Sequence, residues 1–150
     1  PLPERSPNGE PNQILGNILG VLENGKVLES TESLSIPVAV ALAKCDVLRD
    51  AGLIESNRLW NLDRRHVAAF DRQLHDDTSG MMGEWVHRWS RAAYSTLAQR
   101  FSRVAFFGVS ATGCSLDQRS NRYPFVSPWR VEDPLLWLLA ELGVVPFRES

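Results

Sequence analysis

Two short runs without a charged residue, 37–42 and 104–109, constrain this chain more than anything else in it. Runs of this length that are apolar on both faces read as strands buried within a parallel sheet. Each ends abruptly, the first in Ala43-Lys44-Cys45-Asp46 and the second in Ser110-Ala111-Thr112-Gly113-Cys114. Parallel strands need a long crossover, and the separation of 64 positions from Asp46 to Ser110 leaves room for a helical layer. Carboxyl ends of parallel strands lie on one edge of the sheet, where open α/β sheets bind ligands. Both polar ends therefore face one crevice.

The rest of the chain supplies the helices. Residues 1–11 hold four prolines and read as a linker. Ile14, Leu15, Ile18, Leu19 and Leu22 then recur at helical spacing, and Asn24-Gly25 ends that helix. Residues 26–35 make a polar connection. Residues 47–54 form a short helical turn stopped by Gly52, 55–63 are irregular, and 64–74 form a helix with Val67, Ala68 and Phe70 inward. Asp76-Asp77-Thr78-Ser79-Gly80 breaks the chain. A long helix over 82–101 follows, with Trp85, Trp89, Ala93 and Leu97 stepping along its inner side. Residues 115–127 are a polar loop. The closing helix has Asp133 as N-cap, Pro134 in its first turn and Gly143 past its end. Strands alternating with helices imply an α/β fold with a partial parallel sheet flanked by helices. Residues 12–147 form that unit, and 148–150 are a tail.

Composition sets outer bounds. A 150-residue chain with 43% hydrophobic residues can bury one real core. A net charge of −2 provides no pull toward nucleic acid or an anionic membrane, and no apolar run is long enough to span a bilayer. Two cysteines, Cys45 and Cys114, are too few for a disulfide framework or a zinc site. The expectation is a cytoplasmic protein with free thiols. His75-Asp76-Asp77 is a poor metal motif, because three adjacent ligands do not converge on one centre.

The chemistry at the two strand ends is specific. An ionised Asp46 only accepts hydrogen bonds, and guanine offers two adjacent donors, its ring N1–H and its 2-amino group. Adenine leaves such a carboxylate unpaired, and sites built on buried polar pairing reject the wrong ligand strongly. Lys44 can lay its methylene stem across a base or ribose. The backbone N–H groups of Ser110, Ala111 and Thr112 can meet the guanine 6-oxo group, while the Ser110 hydroxyl braces the turn.

These residues resemble a family. Lys44-Cys45-Asp46 after an apolar strand is similar to the fourth motif of P-loop GTPases, Asn/Thr-Lys-x-Asp. Ser110-Ala111-Thr112 is similar to their fifth, Ser-Ala and a variable residue. The phrase Trp129-Arg130-Val131-Glu132-Asp133-Pro134-Leu135-Leu136-Trp137-Leu138-Leu139 looks like the end of the GTPase domain in bacterial double-GTPase-like proteins of the TRAFAC class. The resemblance covers residues 12–147 and implies the C-terminal half of a GTPase-like fold, with Lys44, Asp46, Ser110, Ala111 and Thr112 at the guanine. It implies a GTP or GDP ligand in a bacterial regulatory protein. Two departures stand against it. Ala43 replaces the family's Asn or Thr, and nothing matches the phosphate-binding loop or the Mg²⁺-binding aspartate. Phosphoryl transfer needs a phosphate cradle, a metal and a positioned water, so this stretch alone is not expected to hydrolyse GTP. Mg²⁺ enters only if an upstream half supplies its ligands.

Plainer readings stand beside these. Asp46 can simply cap the short helix, with Lys44 solvated. Cys45 is a small filler, reactive only if Lys44 lowers its pKa. Arg119, Arg122 and Arg130 around Tyr123 and Trp129 suit either a partner contact or a loop with aromatics tucked beneath it. The alternative for the whole chain is a non-enzymatic protein-interaction module on a degenerate GTPase half-fold. Its working surface would be that loop and the insert bearing Trp60, Trp85 and Trp89, for an unknown protein partner.

Overall fold

The two apolar runs pair with each other. In a computed structural model, which describes residues 11–24, 33–54 and 69–148, β1 (Val38–Leu42) runs parallel to β3 (Val104–Gly108). Val38 lies opposite Val104 and Leu42 opposite Gly108. A second parallel pair, not expected from the sequence, joins β2 (Phe70–Asp71) to β4 (Phe147–Arg148). Among the described residues five helices accompany them: α1 (Pro11–Asn24), α2 (Cys45–Asp50), α3 (Arg72–Trp89), α4 (Arg91–Arg100) and α5 (Asp133–Glu141). The coarse class is α/β, short parallel sheets flanked by helices. No described helix is long and apolar enough to cross a membrane.

Side-chain alternation along the strands feeds separate clusters. Phe107 and Ala105 pack with Trp137, Ala140 and Phe70 on the side covered by α5. Val38, Val40, Val104 and Phe106 face Leu97 and Phe101, which also receive Leu15 and Leu19 of α1. Ile14 and Ile18, expected on the same inner face, remain about half exposed. The strands are also unequal. Ala105, Phe107 and Gly108 are buried, whereas β1 is only partly covered and Ala41 is exposed. Burial on both faces thus describes β3 better than β1.

The segment 76–80 is helical, not a break. α3 starts at Asp71, whose carboxylate accepts the Leu74 N–H at 3.0 Å, and it runs on through Gly80 to Trp89. The polar residues are absorbed by specific bonds. Thr78 Oγ1 donates within reach of the Leu74 and His75 carbonyls, both at 3.0 Å. Ser79 Oγ accepts the Phe106 N–H at 2.9 Å. Local propensity yields here to tertiary contact. The break falls instead at Ser90, which has extended backbone (φ −143, ψ 86) and accepts the Ala93 N–H as the cap of α4. The expected single helix over 82–101 is therefore two helices. The stripe is cut with it: Ala93 and Leu97 are buried, but Trp89 is 71% exposed. The proposed helix over 64–74 falls partly outside the described residues, as do Trp60 and the segments 1–10, 26–32 and 55–63. Its described end places buried Phe70 on β2.

At the closing helix Asp133 is not the cap but the first residue, 1% exposed. It accepts from Arg130 Nε at 2.5 Å, and Arg130 also reaches Thr78 at 3.4 Å, so one buried guanidinium ties α5 to α3. Arg130 and Trp129 are thus tucked inside, while Arg119, Arg122 and Tyr123 stay exposed. Removing one partner strands a buried charge. Asp133→Ala is expected to cost about 3–5 kcal/mol in urea unfolding. Arg148→Ala, which breaks the outer Arg148–Asp71 pair, should cost under about 1 kcal/mol.

His75 lies among Phe70, Phe107 and Trp137, its ring stacked on Phe107 at 5.1 Å. Burial pushes its pKa down from 6.5 to about 4. The imidazole is neutral in both states above pH 6.5. As the pH falls from 6.5 to about 4, the unfolded chain takes up a proton that the folded chain refuses, so stability drops across that window. The His75→Phe variant should show a shallower acid loss in denaturant titrations at successive pH values.

Candidate functional site

The carboxyl ends of β1 and β3 are locked together before any polar side chain takes part. Val109 N–H donates to the Leu42 carbonyl at 2.9 Å and Cys45 N–H to the Val109 carbonyl at 3.1 Å. This crossing requires a small residue at 108. A Cβ there would lie 2.7 Å from Met82 Sδ and 3.0 Å from Cys45 Sγ. Between β1 and α2 the chain turns through Lys44, which adopts the left-handed conformation (φ 59, ψ 36). A lysine pays a steric cost there that glycine avoids. Its side chain is exposed and has no bond among the described residues.

Asp46 sits in the first turn of α2 and is 3% exposed. It does not cap the helix. Its Oδ1 accepts the Ser110 hydroxyl at 2.5 Å, and Ser110 Oγ in turn accepts the Gly113 N–H at 2.9 Å. The two motifs, 64 residues apart, thus meet in one buried hydrogen bond that fixes the carboxylate. The bracing role expected of Ser110 is present.

One expectation needs correcting. The Ser110 N–H is already used, donating to the Trp129 carbonyl at 3.0 Å while Trp129 N–H returns to the Ser110 carbonyl at 2.7 Å. The backbone of 110 therefore cannot donate to a base. Ala111 and Thr112 differ: among the described residues their N–H groups have no hydrogen-bond partner, and Ala111 is exposed. The donor set at this turn reduces to those two.

Three supports were not evident in the sequence. Arg49 donates to the Gly113 carbonyl at 3.0 Å, and Ser115 donates to Asp50 at 2.6 Å. The Ser115 hydroxyl, ahead of Arg49, holds the Asp50 pKa below its ordinary value. Asp46, Arg49 and Asp50 thus stitch one side of α2 to the 110–115 loop. The i, i+3 spacing of Asp46 and Arg49 was the available signal. The third support is Ser127, whose N–H donates to the Thr112 carbonyl at 2.9 Å. Gly113 has φ +70, and a Cβ on it would collide with the Ser127 carbonyl.

Cys45, between the two motif residues, is fully buried and its thiol donates to the Leu42 carbonyl at 3.3 Å. Burial pushes its pKa up to about 11, so activation by Lys44 does not occur. A cleft of about 320 Å³ lies at the opposite end of the sheet, lined by Arg72, His75, Trp137 and Phe147. No motif residue lines it, and the strand-end corner has the stronger chemical case because its polar groups converge. Among the described residues no three metal-ligating side chains cluster.

Comparison of the chain with protein-family models, curated proteins and solved structures finds no match. The functional reading therefore rests on the corner itself.

The thiols offer a direct check of this geometry. Cys45 and Cys114 should both resist an aromatic disulfide reagent in the native state and react fully in denaturant. In Gly113→Ala the loop must shift off Ser127, and faster labelling of neighbouring Cys114 should report it.

Proposed function

We propose that the corner formed by Lys44, Asp46 and the 110–113 turn recognises the guanine base of a nucleotide, as part of a GTPase-like α/β unit. The observation that carries this is the 2.5 Å hydrogen bond from Ser110 to Asp46, which unites two motifs in a buried, oriented acceptor. Asp46 accepts from the guanine N1–H and 2-amino group. Ala111 and Thr112 donate to the 6-oxo oxygen, and the Lys44 stem lies along the base or ribose. The described residues and the remaining sequence supply no phosphate loop. Base recognition, not hydrolysis, is the activity assigned to this stretch, and Mg²⁺ would enter only with ligands supplied from an upstream half.

The interaction-module reading has one observation in its favour. Ile14, Ile18 and Val21 on α1, Leu135 on α5 and Leu142 just past its end are exposed apolar residues. These lie away from the corner and are compatible with either function.

The two readings part in a competition assay. Asp46→Asn replaces an acceptor with an amide that donates, which suits the 2-oxo group of xanthine. Fluorescent GDP should be displaced better by xanthosine diphosphate than by GDP in this variant, reversing the wild-type order by roughly tenfold or more. An unchanged order, with wild-type thermal stability, overturns the assignment.

A further inference from the structure

Once its internal pairs are set aside, the cleft at the far end of the sheet is left with donors to spare. It lies where the first turns of α3 meet the start of β3, α5 and β4. Two of its charged residues, Arg103 and Glu141, pair with each other at 3.2 Å, and Arg103 Nε also holds the Ser35 carbonyl at 2.9 Å. Arg72 has no ion pair among the described residues. Its guanidinium stands 4.2 Å from the centre of the Phe147 ring, a contact that keeps the charge at the cleft and uses none of its N–H groups. Ser79 accepts the Phe106 N–H, and its own hydroxyl proton has no acceptor among the described residues. His75 forms part of the wall and is 5% exposed, and its Nδ1 is buried without a hydrogen-bond partner. Buried polar atoms in that position are rare, because each forfeits its hydration. Asp76 is the acid left over, and it is exposed and so keeps its water.

We propose that this cleft binds a small organic carboxylate, its anionic end held by Arg72, His75 and the Ser79 hydroxyl and its apolar body set against Trp137 and Phe147. A carboxylate brings only acceptors, and a guanidinium meets it with two parallel N–H groups. The neutral imidazole donates from one nitrogen, and its ring is already fixed in plane against Phe107 and Trp137. A cationic ligand would meet the unpaired Arg72 instead, and a dianion would bring a second charge with no uncommitted cation to receive it. The volume of about 320 Å³ falls at the small end of the range for small-molecule sites, roughly 300–1,000 Å³. The cleft is remote from Asp46, and the inference does not rest on the guanine reading.

Phenylacetate, phenethyl alcohol and phenethylamine share a ring and differ in charge, and titrating each into the isotope-labelled full chain near neutral pH tests the site. Phenylacetate should shift the His75 imidazole nitrogen resonances saturably, with a Kd of order 1 mM. The alcohol should bind roughly tenfold more weakly, and the amine should leave His75 unmoved. Arg72→Gln, at an exposed position, should weaken phenylacetate by roughly tenfold with the amide spectrum still dispersed. Arg72→Lys, which keeps the charge and loses the planar fork, should fall between. Should Arg72→Gln fail to fold, the order of acid, alcohol and amine in the wild type decides alone. No saturable shift at His75, an amine that binds as well as the acid, or an affinity indifferent to Arg72→Gln overturns the proposal.

Discussion

The parallel register of β1 on β3 is the constraint from which the rest of the structure follows. Two strands that point the same way cannot be joined by a turn, so the chain between them must cross the sheet. That crossing places α4 against one face, runs α3 along the outer edge of β3, and leaves the other face to α5. The register also fixes a geometry finer than fold class. Pairing Leu42 with Gly108 brings both strand ends to the same level, and only then do Asp46 and Ser110 come within hydrogen-bond reach. A slip of one residue would turn Phe107 away from Trp137 and separate the two motifs at once.

Several polar ties, from fully buried to exposed, hold that crossover in place, and they act at different levels. Arg130 joins Asp133 of α5 to Thr78 of α3 within the core. Ser79 accepts the Phe106 N–H on the outer edge of β3. Arg49 and Asp50 fasten α2 to the loop after β3. Replacing such pairs with apolar residues of similar volume is often neutral or stabilising, so they are weak evidence for stability as such. Their shared effect here is positional. Each fixes the height or angle of an element that ends at, or supports, the strand-end corner.

Much of this was legible because it depends on apolar patterning. β1, β3, α1 and α5 lie close to where runs and spacing put them, while α2 covers Cys45–Asp50 and not the expected 47–54. The failures have physical causes. Residues 76–80 carry helix-disfavouring side chains, but Thr78 bonds back to its own helix and Ser79 bonds to a strand far away in sequence. No local window contains Phe106. The break at Ser90 went unseen for the opposite reason, since the apolar steps continue across it while the backbone does not. The β2–β4 pair is two residues long on each side and has no period to read. At the corner, residue types announced the acceptor at Asp46 and the brace at Ser110. Loss of the Ser110 N–H to Trp129 depended on a loop return that no motif encodes.

Two features of the corner work against stability, and that bears on what it is for. Lys44 holds a left-handed conformation at a cost of order 1 kcal/mol, although glycine would sit there freely. Asp46 places a carboxylate at 3% exposure, where an apolar side chain would pack without desolvation. A purely structural strand-to-helix turn needs neither a charged acceptor nor a strained lysine. Strain and buried polarity are concentrated at one sheet edge, beside two N–H groups that have no partner among the described residues, and the proposed recognition role would account for that concentration. The Ser110 bond explains how such a carboxylate is tolerated. It satisfies one oxygen from within the fold.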